Sequence, residues 1–138
     1  MAKYNYPRVV VTGIGAVTPI GNTVEELWKA LFEGTSGADY ITRFDTTHYE
    51  TKFACEVKNF DPLLYLSRKE VQRMDLFTQF AIAAAAQALN DSGLNLEKLD
   101  KERVGVVFGS GIGGMWTYHR QQELVYENEG RPDRISPL

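Results

Sequence analysis

The chain of 138 residues fits one domain of ordinary globular composition, 43% hydrophobic and 24% charged, and is long enough to bury a core. Its net charge of -3 argues against general attraction to nucleic acid, and its longest wholly apolar run, Phe80 to Ala86, falls far short of the roughly 20 residues a membrane span needs. The single cysteine, Cys55, excludes an internal disulfide, Cys55 with His48 and His119 offers no recognisable metal spacing, and Met1 to Arg8 has no signal-peptide core behind it, so a cytoplasmic protein is expected.

From the start of the chain, Val9, Val10 and Val11 predict a buried strand that breaks at Gly13 and Gly15. This break is not a complete nucleotide loop, because Thr18 stands where the third glycine belongs. Pro19 and Gly21 mark a turn. Thr23 and Glu26 then have capping-box spacing, and Val24, Leu27, Trp28, Leu31 and Phe32 recur at helical intervals, predicting an amphipathic helix with one buried face and Gly34 as its C′ residue.

Thr35 to Glu50 reads as irregular. Lys52 to Lys58 alternates, which predicts a half-buried strand with Phe53, Cys55 and Val57 inward and Lys52, Glu56 and Lys58 outward. In that setting Cys55 is a small apolar filler, since nothing nearby lowers the pKa of its thiol. Asp61 and Pro62 have the character of an N-cap and first residue of a short helical turn, and Ser67 with Glu70 forms a second capping box. The helix predicted to start there carries Arg68, Lys69 and Arg73, either a solvated face or a dock for an acidic partner.

From Leu76 to Asn90 the same helix becomes apolar on nearly every side, with Phe77, Phe80, Ile82 and Leu89 among many alanines, which predicts burial all round and close approach of neighbouring helices. Gly93 ends it. After a loop with Leu94, Leu96 and Leu99, the run Val104, Val106, Val107, Phe108 predicts a strand covered on both faces, followed by a glycine-rich turn and a helix from Met115 to Glu129. Residues Arg131 to Leu138 form a turn-rich end.

The glycine-rich turn is where an α/β protein tends to place a ligand. Gly109, Gly111 and Gly114 satisfy G-x-G-x-x-G, but the acid expected about 20 residues later at a strand end would be Asp133, which sits in a turn with no strand before it. A nucleophile elbow around Ser110 fails as well, because Phe108 stands where a glycine is required. The order strand, helix, strand, buried helix, strand, helix indicates α/β layers. It ends on a helix with no return strand, so the chain is expected to be cut short, and the 138 residues alone to fold poorly for want of cover over the Leu76 to Asn90 helix.

Nearly the whole length resembles one family. The segments that carry the likeness are Arg8 to Gly15, Thr18 to Thr23, Phe44 to Thr46 with Thr51 to Ala54, Ser67 to Glu70, Arg73 to Asp75, Asp91 to Gly93, Gly109 to Gly114 and Ile135 to Pro137. In order and spacing they resemble the start of a β-ketoacyl-[acyl-carrier-protein] synthase, in particular the type II elongating enzymes of bacterial fatty acid synthesis. The resemblance implies a thiolase-like layered αβαβα fold, with residues 1–138 as the N-terminal part of the first half, and a homodimer.

It further implies decarboxylative condensation of an acyl-enzyme with malonyl-acyl-carrier protein, extending the chain by two carbons without a cofactor. The family's cysteine, two histidines and supporting lysine match no position here, so Cys55, His48 and His119 receive no catalytic role. Ile112 matches the family's gate residue in the acyl-tail pocket. Lys69 and Arg73 match a basic region that docks acyl-carrier protein, and Arg131 and Arg134 lie near a second such region, although Gln72 and Asp133 stand where relatives often carry cations. Two other functions fit parts of the pattern: a carrier-protein-binding module without catalysis, and a dinucleotide-binding enzyme.

Overall fold

The computed structural model describes residues 7–131. They sort into two compact units, one made of the residues up to Lys58 together with Ala84–Leu99, the other of Asn59–Ala83 together with the residues from Asp100 onward.

In the first unit, helix α1 (Val24–Phe32) starts at Thr23, whose hydroxyl accepts the Glu26 amide at 3.2 Å. The Glu26 carboxylate reaches back one residue beyond the usual partner and accepts the Asn22 amide at 2.7 Å, so two helix-start donors are satisfied in a shifted version of the expected box. At the other end Gly34 is left-handed at φ 68°, with Thr35 N–H donating to Ala30 and Gly34 N–H to Leu31, a Schellman termination. The expected buried face is only partly covered. Val24 and Leu27 are half-buried and Ala30 is buried, but Trp28 and Leu31 are open and Phe32 is 86% exposed.

Strand β1 (Asp39–Tyr40) pairs antiparallel with β2 (Phe53–Ala54), Asp39 opposite Ala54 and Tyr40 opposite Phe53. This corrects two expectations. The segment from Thr35 to Glu50 contains a strand, and the predicted Lys52 to Lys58 strand shrinks to two residues and keeps only part of its expected sidedness, with Val57 half-buried and Lys52 and Lys58 exposed. Phe53 and Cys55 are exposed, while Ala54 and Glu56 are half-buried. The Glu56 carboxylate accepts the Thr42 hydroxyl at 2.7 Å and the Thr42 amide at 3.2 Å, and these bonds turn the polar side of the segment under the preceding loop. An ion pair from Lys58 to Asp39 closes the hairpin.

Helix α3 (Leu76–Ser92) contributes its later half to this unit. A Cβ on Gly13 would overlap the Ala88 carbonyl and one on Gly15 the Ala84 carbonyl, so the loop backbone rests directly on the helix. Ile14 N–H donates to Asp91 at 2.8 Å, Ala16 N–H to Gln87 at 3.1 Å, and the Gln87 amide donates to the Asn22 carbonyl at 2.7 Å. The small residues of α3 thus admit a loop here, where a neighbouring helix was expected.

In the second unit Asp61 caps a 3₁₀ turn over Pro62–Leu64, accepting the Leu63 amide at 2.9 Å. Phe60 meets the edge of Phe80 at 5.0 Å and stacks on Tyr65 at 6.5 Å. Helix α2 (Arg68–Val71) carries the full Ser67 and Glu70 capping box. It does not run on into α3 as expected: the chain breaks after Val71, and the Asp75 carbonyl accepts Thr78 and Gln79 N–H to begin α3 anew. Gln79, 7% exposed, donates to the Val71 and Met74 carbonyls at 3.2 and 2.8 Å, which satisfies groups that the break leaves without helical partners. Around it α3 is mostly half-buried, with Ala83 fully covered and Phe77 more open.

Helix α4 (Met115–Glu127) ends two residues earlier than expected, before Glu129 and Gly130 take positive φ. The predicted strands Val9 to Val11 and Val104 to Phe108 form no ladder among the described residues, and Val107 is 95% exposed. Their apolar runs report a requirement for cover, but a strand also needs hydrogen-bonded neighbours, and none of the described residues supplies them.

Candidate functional site

The second unit holds both the glycine-rich turn and the cationic helix. Gly109 and Gly111 stand in open space, whereas Gly113 and Gly114 take left-handed φ of 63° and 51° and lead directly into α4. A side chain is disfavoured at both positions for conformational reasons. Ile112, immediately before them, is 80% exposed, so the turn presents one branched side chain with no neighbouring bulk. Phe77 packs beneath, 3.3 Å from where a Gly113 Cβ would lie.

Asp75 approaches the same turn from the start of α3. One carboxylate oxygen accepts the Thr117 hydroxyl at 2.6 Å, and the other lies 3.3 Å from where a Gly114 Cβ would be. That carboxylate works against the dinucleotide alternative, since the helix start that would face a pyrophosphate already has a negative charge beside it.

The cations are arranged differently from one another. Lys69 lies in α2 and Arg73 just past its end, both exposed and in no ion pair among the described residues. Glu70 between them is engaged locally: the Ser67 hydroxyl and amide donate to its carboxylate at 2.7 and 2.8 Å and hold its pKa below the ordinary value. Arg131 instead pairs with Glu129 at 3.2 Å, which offsets part of its charge, and Arg134 lies outside the described residues. Ile112, Lys69, Arg73 and Arg131 all belong to the second unit.

Nucleophilic chemistry is not assembled around the thiol. Cys55 is exposed one residue past β2 in the first unit, and His119 faces Glu123 at 3.2 Å along α4. No group of three or more metal-binding side chains occurs among the described residues. Asp75 belongs to the Arg73 to Asp75 family segment but carries no site role in the sequence, and neither Thr117 nor Gln79 is marked by any motif. For Asp75 a signal existed, an Asx residue immediately before the apolar run from Leu76, which is also how a helix start is written.

Comparison with known proteins decides the family. The family model for the beta-ketoacyl synthase N-terminal domain matches residues 7–138. The chain belongs to the β-ketoacyl synthase family. Among its relatives, a 3-oxoacyl-[acyl-carrier-protein] synthase 2 of Synechocystis sp. is 45% identical over 138 residues, covering 100% of this chain and 33% of the relative. One of Vibrio harveyi is 49% identical over 131 residues, covering 95% and 31%. The ketosynthase segment therefore spans about a third of the length of the curated relatives it matches.

Solved structures agree on the fold. The ishigamide ketosynthase/chain length factor superposes with a TM-score of 0.74 at 32% identity, covering 93% of this chain and 32% of that one. A structure of a type II PKS acyl-carrier protein in complex with its ketosynthase bound to the hexaketide gives 0.70 at 26% identity, over 93% and 32%. The chain is thus part of an α/β, thiolase-like ketosynthase fold. No helix of the described residues is long and apolar enough to cross a membrane.

Proposed function

We propose that these residues are the N-terminal part of a 3-oxoacyl-[acyl-carrier-protein] synthase of the elongating type, acting in the cytoplasm as a homodimer. The observation that carries this is the 45% identity to a 3-oxoacyl-[acyl-carrier-protein] synthase 2 along the full length of the chain. In the reaction a cysteine thiolate displaces the carrier-protein thiol from an acyl thioester. Malonyl-carrier protein then loses carbon dioxide, and the resulting enolate carbon attacks the acyl-enzyme thioester, forming a carbon-carbon bond as the cysteine thiolate leaves. The product is a 3-oxoacyl-carrier protein two carbons longer.

None of that bond-making falls to the residues described above. Their role is substrate selection. Ile112 is the gate of the acyl-tail pocket, its bulk deciding which chains enter. Lys69 and Arg73 attract the acidic carrier protein, an effect felt mainly in the rate of encounter, and Arg131 and Arg134 form a weaker second contact.

Complementation tests the function. The complete gene that encodes these residues is introduced into bacteria with a conditional defect in the elongating ketosynthase. Restored growth and restored long-chain fatty acids are expected; a well-expressed protein that restores neither would overturn the proposal.

A further inference from the structure

Asp75 is fixed at both ends. Its backbone carbonyl accepts Thr78 and Gln79 N–H and so starts α3, while its side chain accepts the Thr117 hydroxyl, 42 residues away in sequence, in a partly buried bond of 2.6 Å. Helix α4 begins at Gly114 with no side-chain cap of its own. The Asp75 carboxylate beside Gly114 supplies the negative charge that a helix start favours. Phe77, two residues further along α3, supports Gly113 from below.

Together these contacts leave little freedom to the two left-handed glycines through which the chain passes on leaving Ile112. An exposed side chain on a glycine turn can discriminate between substrates only if the turn is held, because a loose turn lets the side chain swing aside. We infer that Asp75 and Thr117 are positioning residues for the Ile112 turn, so that their hydrogen bond, together with the bulk of Ile112, sets acyl chain-length selectivity. This rests on the gate role proposed for Ile112.

The test measures kcat/KM of the complete enzyme for a long and a short acyl-carrier protein, and takes their ratio. Ile112→Ala provides the reference for a gate that has lost its bulk. Thr117→Val, which removes the hydroxyl at nearly constant shape, is expected to move the ratio toward that reference by about threefold to tenfold, the range one hydrogen bond supports. Thr117→Ser restores the donor and is expected to restore the ratio. Asp75→Asn keeps an acceptor oxygen but loses the charge beside Gly114, and is expected to move the ratio in the same direction by less than Thr117→Val does. In the Ile112→Ala background Thr117→Val should add nothing.

Equal losses for both substrates in Thr117→Val, or an unchanged ratio, overturn the positioning role while leaving the gate standing. An unchanged ratio in Ile112→Ala overturns the gate itself and the positioning role with it.

Discussion

Gly15 lies against Ala88: a Cβ on Gly15 would stand 2.8 Å from the Ala88 amide nitrogen, closer than two such atoms can approach. The backbone must therefore separate from α3 if Gly15 gains a methyl group. The flanking bonds, Ile14 to Asp91 and Ala16 to Gln87, hold it in place. Gly15→Ala is expected to destabilise the protein by about 1–3 kcal/mol, as overpacking does, seen as a lower urea midpoint. An unchanged midpoint would show that the loop can lift from α3 at no cost.

Helix α2 should respond to acid through Glu70. The bonds from Ser67 lower the folded-state pKa of Glu70 below its ordinary value of 4.5. The stabilisation this gives is present above pH 4.5 and is lost as the pH falls through the lowered folded value, because protonation then removes the charged acceptor. Ser67→Ala should raise the Glu70 pKa measured by carboxyl NMR titration toward the ordinary value. The stability difference between the two proteins should narrow on acidification below pH 4.5. A Glu70 titration unmoved by Ser67→Ala would show that the box does not persist in solution.

Charge reversal in α2 and just past its end should act on the carrier protein alone. Lys69→Glu with Arg73→Glu is expected to raise KM for acyl-carrier protein by about tenfold, to leave kcat nearly constant, and to flatten the salt dependence of kcat/KM. Arg131→Glu should have a smaller effect, since Arg131 is already paired with Glu129. A small thioester lacking the carrier protein is the control. If the double variant slows that control equally, the loss is structural.

The gate should discriminate by size. Ile112→Phe is expected to reduce kcat/KM for long acyl chains by about tenfold and to spare short ones, because added bulk in a tail pocket penalises only the substrate that must pass it. Equal losses for both would remove Ile112 from the gate role.

The legibility of the sequence followed how local each signal was. The Ser67 and Glu70 box, the Asp61 cap and the helix stops at Gly34 and Gly93 each depend on a few adjacent residues, and each is formed. The Val9 to Val11 and Val104 to Phe108 runs depend on ladder partners elsewhere, so apolar composition alone did not make them strands. No proline or glycine marks the break between α2 and α3 in the sequence. It depends on Gln79 reaching two backbone carbonyls, which no periodicity announces.

For the site, Ile112 and Lys69 came from family motifs. Their surroundings did not: the Asp75 to Thr117 bond joins residues far apart in sequence, and hydrophobic periodicity carries no information about such a pair. The same holds for Glu56, whose covered position results from its bonds to Thr42 and runs against the alternation of its own segment.

Product analysis with the complete purified enzyme, an acyl-carrier protein and malonyl-carrier protein tests the proposed condensation most directly. A 3-oxoacyl-carrier protein two carbons longer than the acyl donor is expected, with one carbon dioxide released for each condensation. Carrier-protein binding with neither carbon dioxide release nor chain extension would contradict it.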